Sequence, residues 1–351
     1  MTQSLTDDLR IHAQRPLITP NTLKHEIPLT SSAIRMVQKS REDIFNIIQG
    51  KDHRLLIVVG PCSIHDSKAA LEYADLLKES ANHFIDDLYI VMRVYFAKPR
   101  TSLGWKGLIN DPLLNESFDI NLGLKTARTL LANLAEIGLP AGTEFLDTFI
   151  PQYLSDLVSW SAIGARTSQS QLHRELASGL SMPVGFKNST DGNIKVAIDA
   201  VHAAQHPHHF LSITKDGMPS IISTMGNDAC HIILRGSSKT PNYLPIYIEE
   251  TTAALQHANL IPKFMVDCSH GNSQQNHCLQ STAADSLAEQ IKQGSQAIFG
   301  IMLESNLVAG KQILQQGKPL TYGQSITDAC ISWNETLPLL EKLAMAVRKN
   351  K

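Results

Sequence analysis

Short apolar runs recur along the chain, each followed by a longer stretch whose apolar positions repeat at helical spacing. The runs are RLLIVVG (54–60), LYIVMRVY (88–95), PAGTEF (140–145), SAIGAR (161–166), PVGFKN (183–188), CHIILRG (230–236), KFMVDCSH (263–270) and AIFGIMLE (297–304). They are continuously apolar rather than alternating, as strands covered on both faces must be. Stretches such as SKAALEYADLLKESANHF and NLGLKTARTLLANLAEIG read as the intervening helices. The pattern predicts an α/β fold, a closed (β/α)8 TIM barrel. No GxGxxG follows the first run, which argues against an open dinucleotide-binding sheet.

Two segments fall outside the eightfold pattern. Residues 1–50 form an N-terminal extension with a helical stretch near SSAIRMVQKSREDIFNIIQG. Within the barrel of residues 51–351, the stretch 210–228 reads as a β-hairpin turning at Asp216-Gly217. Catalysis on a barrel needs neither, so both are expected to serve regulation or subunit assembly.

The 351 residues carry a formal net charge of −2, so nothing global attracts nucleic acid or an anionic membrane. An anionic ligand must be held by local cations. The polar start MTQSLTDDLR lacks a signal-peptide pattern, and the expected location is the cytoplasm. Five cysteines without a CxxC pair argue for free thiols over a disulfide framework.

Barrel enzymes place their chemistry at the C-terminal ends of the strands. Read there, the chain offers Cys62, Arg93, Lys98, Arg100, Glu144, Arg166, Lys187, Arg235, His270 and Glu304, with Asp328 in a later loop. One thiol, one imidazole and two carboxylates (Cys62, His270, Glu304, Asp328) suit a borderline divalent cation such as Mn, Fe, Co or Zn. Taken singly, each has a plain alternative as a buried thiol, a core histidine or a capping acid. The six cations imply more than one phosphate or carboxylate on the substrates, although one or two could be paired with Glu144 or Asp267. Lys187 as a Schiff-base nucleophile is a competing reading, weakened because such enzymes need no metal.

These strand ends resemble class I 3-deoxy-D-arabino-heptulosonate 7-phosphate (DAHP) synthase of the feedback-regulated type. The phrases that carry the resemblance are GPCSIHD (60–66), MRVYFAKPRTSLGWKGLINDP (92–112), SWSAIGART (159–167), HRELASGLSMPVGFKN (173–188), HIILRG (231–236), VDCSHGNS (266–273) and YGQSITDACISW (322–333). The resemblance implies condensation of phosphoenolpyruvate with erythrose 4-phosphate, the first step of the shikimate pathway, and a metal held by Cys62, His270, Glu304 and Asp328. It implies that Arg93, Lys98, Glu144, Arg166, Lys187 and Arg235 surround phosphoenolpyruvate, and that Lys98-Pro99-Arg100-Thr101 holds the aldose phosphate. Cys62, Lys98 and His270 are then the residues nearest the chemistry, with Lys98 or His270 as proton donor. The related synthase using arabinose 5-phosphate and a non-catalytic sensor barrel are the rival readings. The sequence departs from the family at Ala97 (usually Glu), Ser168-Gln169 (Thr-Glu), Ser189 (Gly) and Ser237 (Gly), none of them a metal or substrate position.

Resemblance to regulated members implies an aromatic amino acid pocket near Thr148, Pro151, Gln152, Leu180, Ser181, Phe210, Ser212 and Ile222. Asp8 would come from a neighbouring subunit of a homodimer or homotetramer. Ser212 matches the phenylalanine-controlled form, whereas SWSAIGART, LSMPVGFKN and VDCSHGNS are closer to the tyrosine-controlled form. Phenylalanine is the expected effector, because Ser212 would lie against the ring.

Overall fold

The computed structural model describes residues 6–100, 103–315 and 317–350. Two helices come first, α1 (Pro20–Glu26) and α2 (Ser31–Ile48). Then follow β1 (Leu55–Gly60), β2 (Leu88–Arg93), β3 (Ala141–Glu144), β4 (Trp160–Ile163) and β5 (Val184–Lys187). The hairpin β6 (His209–Ile213) and β7 (Pro219–Ser223) interrupts the series before β8 (Cys230–Leu234), β9 (Phe264–Asp267) and β10 (Ile298–Asn306). Each barrel strand pairs in parallel with the next, and β10 closes on β1 through the register Leu56↔Gly300 to Gly60↔Glu304. This is the expected (β/α)8 barrel.

The eight connecting helices are α3 (Ser67–His83), α4 (Ile120–Glu136), α5 (Ile150–Leu154), α6 (Gln171–Ala177), α7 (Lys195–Ala204), α8 (Pro245–His257), α9 (Gln280–Lys292) and α10 (Trp333–Asn350). Short strands β11 (Val308–Lys311), β12 (Gln324–Ser325) and β13 (Ile331–Ser332) line the last loop. Several helices start where a side chain accepts from the first free N–H groups: Thr30 caps α2, Asp66 caps α3 and Asp119 caps α4. Asp66 of the GPCSIHD phrase is thus a helix cap. No helix among the described residues is long and apolar enough to cross a membrane.

Most strand ends differ from the sequence reading, four of them in ways that bear on the site. β2 stops at Arg93, β4 at Ile163 and β9 at Asp267, while β10 runs on to Asn306. Arg166 and His270 therefore sit in turns beyond their strands, where pairing has ended and side chains can swing over the barrel mouth. Gly60 ends β1 at φ +153°, and a Cβ there would come within 2.7 Å of the Arg93 carbonyl, so conformation and crowding both demand glycine.

The continuously apolar strands hide two alternating faces. Leu55, Ile57 and Val59 pack outward with the helices. Leu56, Val58, Val91, Trp160, Ile233, Met265, Phe299 and Met302 form a separate inner cluster. That inner cluster includes Ile44, Ile47 and Ile48 of α2. The second half of the N-terminal extension is therefore the floor of the barrel, and burying three isoleucines is worth about 1.5–3 kcal/mol each. The hairpin turn docks on the first half: Asn21 N donates to the Lys215 carbonyl at 2.8 Å and Asn21 Nδ2 to Asp216 at 2.6 Å. Lys215 Nζ in turn donates to the Gln152 carbonyl at 2.8 Å.

Inside the barrel, His231 accepts from Trp160 Nε1 at 3.2 Å and sits edge-on to Phe299. Burial pushes its pKa down to about 4. Between the ordinary value of about 6.5 and that folded-state value, the unfolded chain binds more protons than the native one. Stability is therefore expected to fall by up to about 3 kcal/mol as pH drops through this window. The urea midpoint should drop more between pH 7 and pH 4.5 in the wild type than in His231→Gln.

Candidate active site

The C-terminal ends of the strands enclose a cavity of about 300 Å³. Twelve of the predicted residues line it: Cys62, Arg93, Lys98, Pro99, Arg100, Glu144, Arg166, Lys187, Arg235, His270, Glu304 and Asp328. Thr101, the remaining predicted substrate residue, lies outside the described residues.

On one wall, single ligand atoms of Cys62, Glu304 and Asp328 lie within 4.8 Å of one another. His270 Nε2 stands 3.7 Å from Glu304 Oε1, at the edge of that group. Its Nδ1 faces Asp267 Oδ2 at 3.0 Å and Ser269 Oγ at 2.7 Å, two acceptors that place the ring proton on Nδ1 and leave the Nε2 lone pair toward Glu304. Burial, and then the Glu304 carboxylate, push the Cys62 thiol up. Lys98 Nζ reaches Cys62 Sγ at 3.2 Å and Asp328 Oδ2 at 2.5 Å. Against the burial that alone would raise it, this ammonium holds the Asp328 carboxyl well below the usual range. A thiol and two carboxylates crowded together, with an imidazole lone pair beside them, are a donor set that fits a divalent cation.

The cations divide into engaged and free groups. Arg93 is buried, with Nη2 on Glu304 Oε1 at 2.8 Å, Nε on the Pro61 carbonyl at 3.1 Å and its guanidinium over the Tyr95 ring at 3.5 Å. It fixes the Glu304 carboxylate and at the same time lines the cavity. Lys187 Nζ donates to Asp267 Oδ2 at 2.7 Å, both groups being buried. Burial alone would raise the Asp267 carboxyl, yet Lys187 and His270 hold it well below the usual carboxylate range. A lysine so engaged in an ion pair is a poor candidate for a Schiff base.

Arg235 differs. Its Nε is buried without a hydrogen-bond partner among the described residues, and burial, followed among the lowering influences by nearby Arg166, depresses its pKa. Two cations on one cavity wall, one half-buried and one exposed and neither in an ion pair among the described residues, are suited to a shared anion. Glu144 Oε1 is also buried without a partner, and a Cβ at Gly164 would come within 2.2 Å of it. Arg100, by contrast, is exposed, its Nε donating to the Trp105 carbonyl at 2.9 Å.

Wall residues that escaped the sequence reading include Tyr95, Thr190, Gln275, His277, Gln280 and Lys311. Gln280, the first residue of α9, is fully buried. It grips Glu304 from both sides, accepting from its N–H at 2.8 Å and donating to its carbonyl at 3.0 Å. An amide inside a helical pattern carries no signal of such a role in sequence.

None of the residues expected to bind an effector lines the barrel-mouth cavity. Phe210 pairs with Ile222, and Ser212 with Ser220, across the hairpin. Phe210 and Leu180 share one apolar cluster, with Ile222 packed on it. Pro151 and Gln152 lie in α5, after Thr148, and Ser181 is exposed beyond α6. Ser212 Oγ is buried without a partner. Asp8 is exposed at φ +57°, its carbonyl accepting from Ile11 N at 3.0 Å.

Comparison with known proteins shows the family of the chain. The family model for the DAHP synthetase I family matches residues 26–341. The chain is 54% identical to the Phe-sensitive phospho-2-dehydro-3-deoxyheptonate aldolase of Escherichia coli over 345 residues, 98% of each chain. It is 51% identical to the Tyr-sensitive enzyme of Salmonella typhimurium over 344 residues, 98% of this chain and 96% of that one. A solved structure of phospho-2-dehydro-3-deoxyheptonate aldolase from Francisella tularensis superposes with a TM-score of 0.95 at 52% identity, covering 97% of this chain and 99% of that one. With this coverage and the site at its barrel mouth, the chain belongs to the DAHP synthetase I family of enzymes.

Proposed function

We propose that the protein condenses phosphoenolpyruvate with D-erythrose 4-phosphate and water, giving DAHP and phosphate in the cytoplasm. The observation that carries this reading is the pairing, in one cavity, of a Cys62/Glu304/Asp328 donor set with Arg235, whose buried Nε has no partner. Cys62, His270, Glu304 and Asp328 would hold one divalent metal, which when bound supplies Lewis acidity toward the aldehyde oxygen. Arg93, Lys98, Arg166, Lys187 and Arg235, with Glu144 beside them, surround the phosphate and carboxylate of phosphoenolpyruvate, and Arg93 also braces Glu304. Lys98-Pro99-Arg100-Thr101 holds the aldose phosphate. As the enol carbon C3 bonds to the aldehyde carbon, the carbonyl π electrons pass to the former aldehyde oxygen, which Lys98 protonates. Water adds at the C2 cation; one of its two protons returns to Lys98 and the other leaves with phosphate as the C2–O bond breaks and the C2 ketone forms. Phosphate release from phosphoenolpyruvate should require erythrose 4-phosphate. Release with arabinose 5-phosphate instead would select the related synthase, and none with either aldose would select a sensor.

Arg100→Ala is expected to raise the KM for erythrose 4-phosphate, since a phosphate would lose its charged partner. Steady-state kinetics with each substrate varied separately checks this. A rise confined to phosphoenolpyruvate would reverse the assignment.

Feedback inhibition is the second part of the proposal. Phe210, Ile222 and Leu180 would receive an aromatic ring, with Thr148, Pro151, Gln152 and Ser181 around it. A neighbouring subunit would supply Asp8 for the ammonium. The unpartnered Ser212 hydroxyl supports phenylalanine over tyrosine, because it occupies room that a ring hydroxyl would need. An assembly of two or four chains is supported by the outward cross-strand pair Leu211 and Ile221, which are 80% and 70% exposed. Inhibition by phenylalanine should be lost when the first dozen residues are removed, and Ser212→Gly should shift preference toward tyrosine. Inhibition that survives truncation would reject the pocket.

A further inference from the structure

We propose that Asp267 is a positioning residue that joins the metal ligand His270 and the anion-holding Lys187 into one unit, so that metal and phosphoenolpyruvate strengthen each other's binding. The inference rests on the site reading above. Asp267 ends β9, is fully buried and is absent from the cavity wall, so it reaches ligands only through its neighbours.

All of its acceptor capacity is committed. Oδ2 takes Lys187 Nζ at 2.7 Å and His270 Nδ1 at 3.0 Å. Oδ1 takes the Ser269 N–H at 2.9 Å and the Ser269 hydroxyl at 2.5 Å. Its own carbonyl accepts from Asn272 Nδ2 at 2.8 Å, locking the turn that follows. The two partners that matter come from different places in the barrel. Lys187 ends β5, with β8 lying between it and β9, whereas His270 stands three residues beyond Asp267 in the turn.

His270 adopts φ +57°, a left-handed conformation that a residue with a Cβ holds only when its surroundings enforce it. The Asp267 carboxylate and Ser269 Oγ supply that constraint from the Nδ1 side and aim Nε2 at Glu304. The same oxygen that orients the imidazole anchors the lysine. An anion drawing on Lys187 therefore changes the share of Oδ2 left to His270, and a cation on His270 changes the share left to Lys187. Coupling of this kind is reciprocal by thermodynamic necessity.

The test uses Co(II), read by the thiolate-to-metal absorption band that ligation by Cys62 would give, and titrated with and without phosphoenolpyruvate. In the wild type, phosphoenolpyruvate should tighten Co(II) binding by at least about fivefold. Asp267→Asn keeps the shape but not the charge. It should weaken Co(II) by about 10–100-fold and reduce the phosphoenolpyruvate effect to near unity. Because that variant strands a buried lysine, Asp267→Asn/Lys187→Gln removes both charges and is expected to show the same two losses. Wild-type Co(II) affinity and coupling in whichever of these variants folds would overturn the proposal, even with a lowered unfolding midpoint, since the role would then be structural only. An unchanged absorption band in Cys62→Ala would overturn the ligand assignment itself, and the proposal with it.

Discussion

Alanine at Cys62 is expected to abolish metal-dependent turnover while leaving the fold intact. The side chain is buried among Glu304, Asp328 and Lys98, and it is the soft donor in a set otherwise made of oxygen and imidazole nitrogen. Its removal takes away one charge and one metal bond, so metal affinity should fall by more than the 10–100-fold typical of losing a partner that merely orients a ligand. Chelation of the wild type should have the same effect, reversed by added Mn. The smaller side chain relieves rather than creates crowding, and the thermal midpoint should move by only a few degrees. Metal content after dialysis, measured beside phosphate release, checks the prediction. Full activity of chelated Cys62→Ala would reject the metal site.

Arg93→Met is expected to cost about 3–5 kcal/mol of stability, because it leaves the Glu304 carboxylate buried and uncompensated. The guanidinium and the carboxylate are both 2% exposed and 2.8 Å apart, so water cannot replace the lost partner. The same change frees the Cys62 and Pro61 carbonyls that Arg93 holds, loosening the turn that carries the thiol. Lysine is a poor substitute, since it cannot reach Glu304, two carbonyls and the Tyr95 face at once. Both stability and metal affinity should therefore fall in Arg93→Lys as well. Denaturant unfolding and metal titration separate the two losses. Unchanged stability in Arg93→Met would show that Glu304 finds another partner.

Much of this protein was legible in the order of its residues. Apolar runs such as LLIVVG and IFGIML declare strands covered on both faces, because no other arrangement hides so many consecutive apolar side chains in so short a length. Charged residues at the ends of such runs mark the working face, since burying them elsewhere would be costly. Cys62, His270 and Glu304 could be placed at that face from the order of the strands, with Asp328 joining them from a later loop. The tertiary structure decided the rest, because it depends on contacts between positions far apart in sequence. Arg93 meets Glu304 across 211 positions, and Lys187 meets Asp267 across 80, so neither pairing leaves a local pattern. That is why the bond from Arg93, a cavity-lining cation, to the Glu304 carboxylate could not be read in advance. The role of α2 was hidden for the same reason. Its isoleucines look like any amphipathic face, and only a closed barrel with an open lower end makes them a floor.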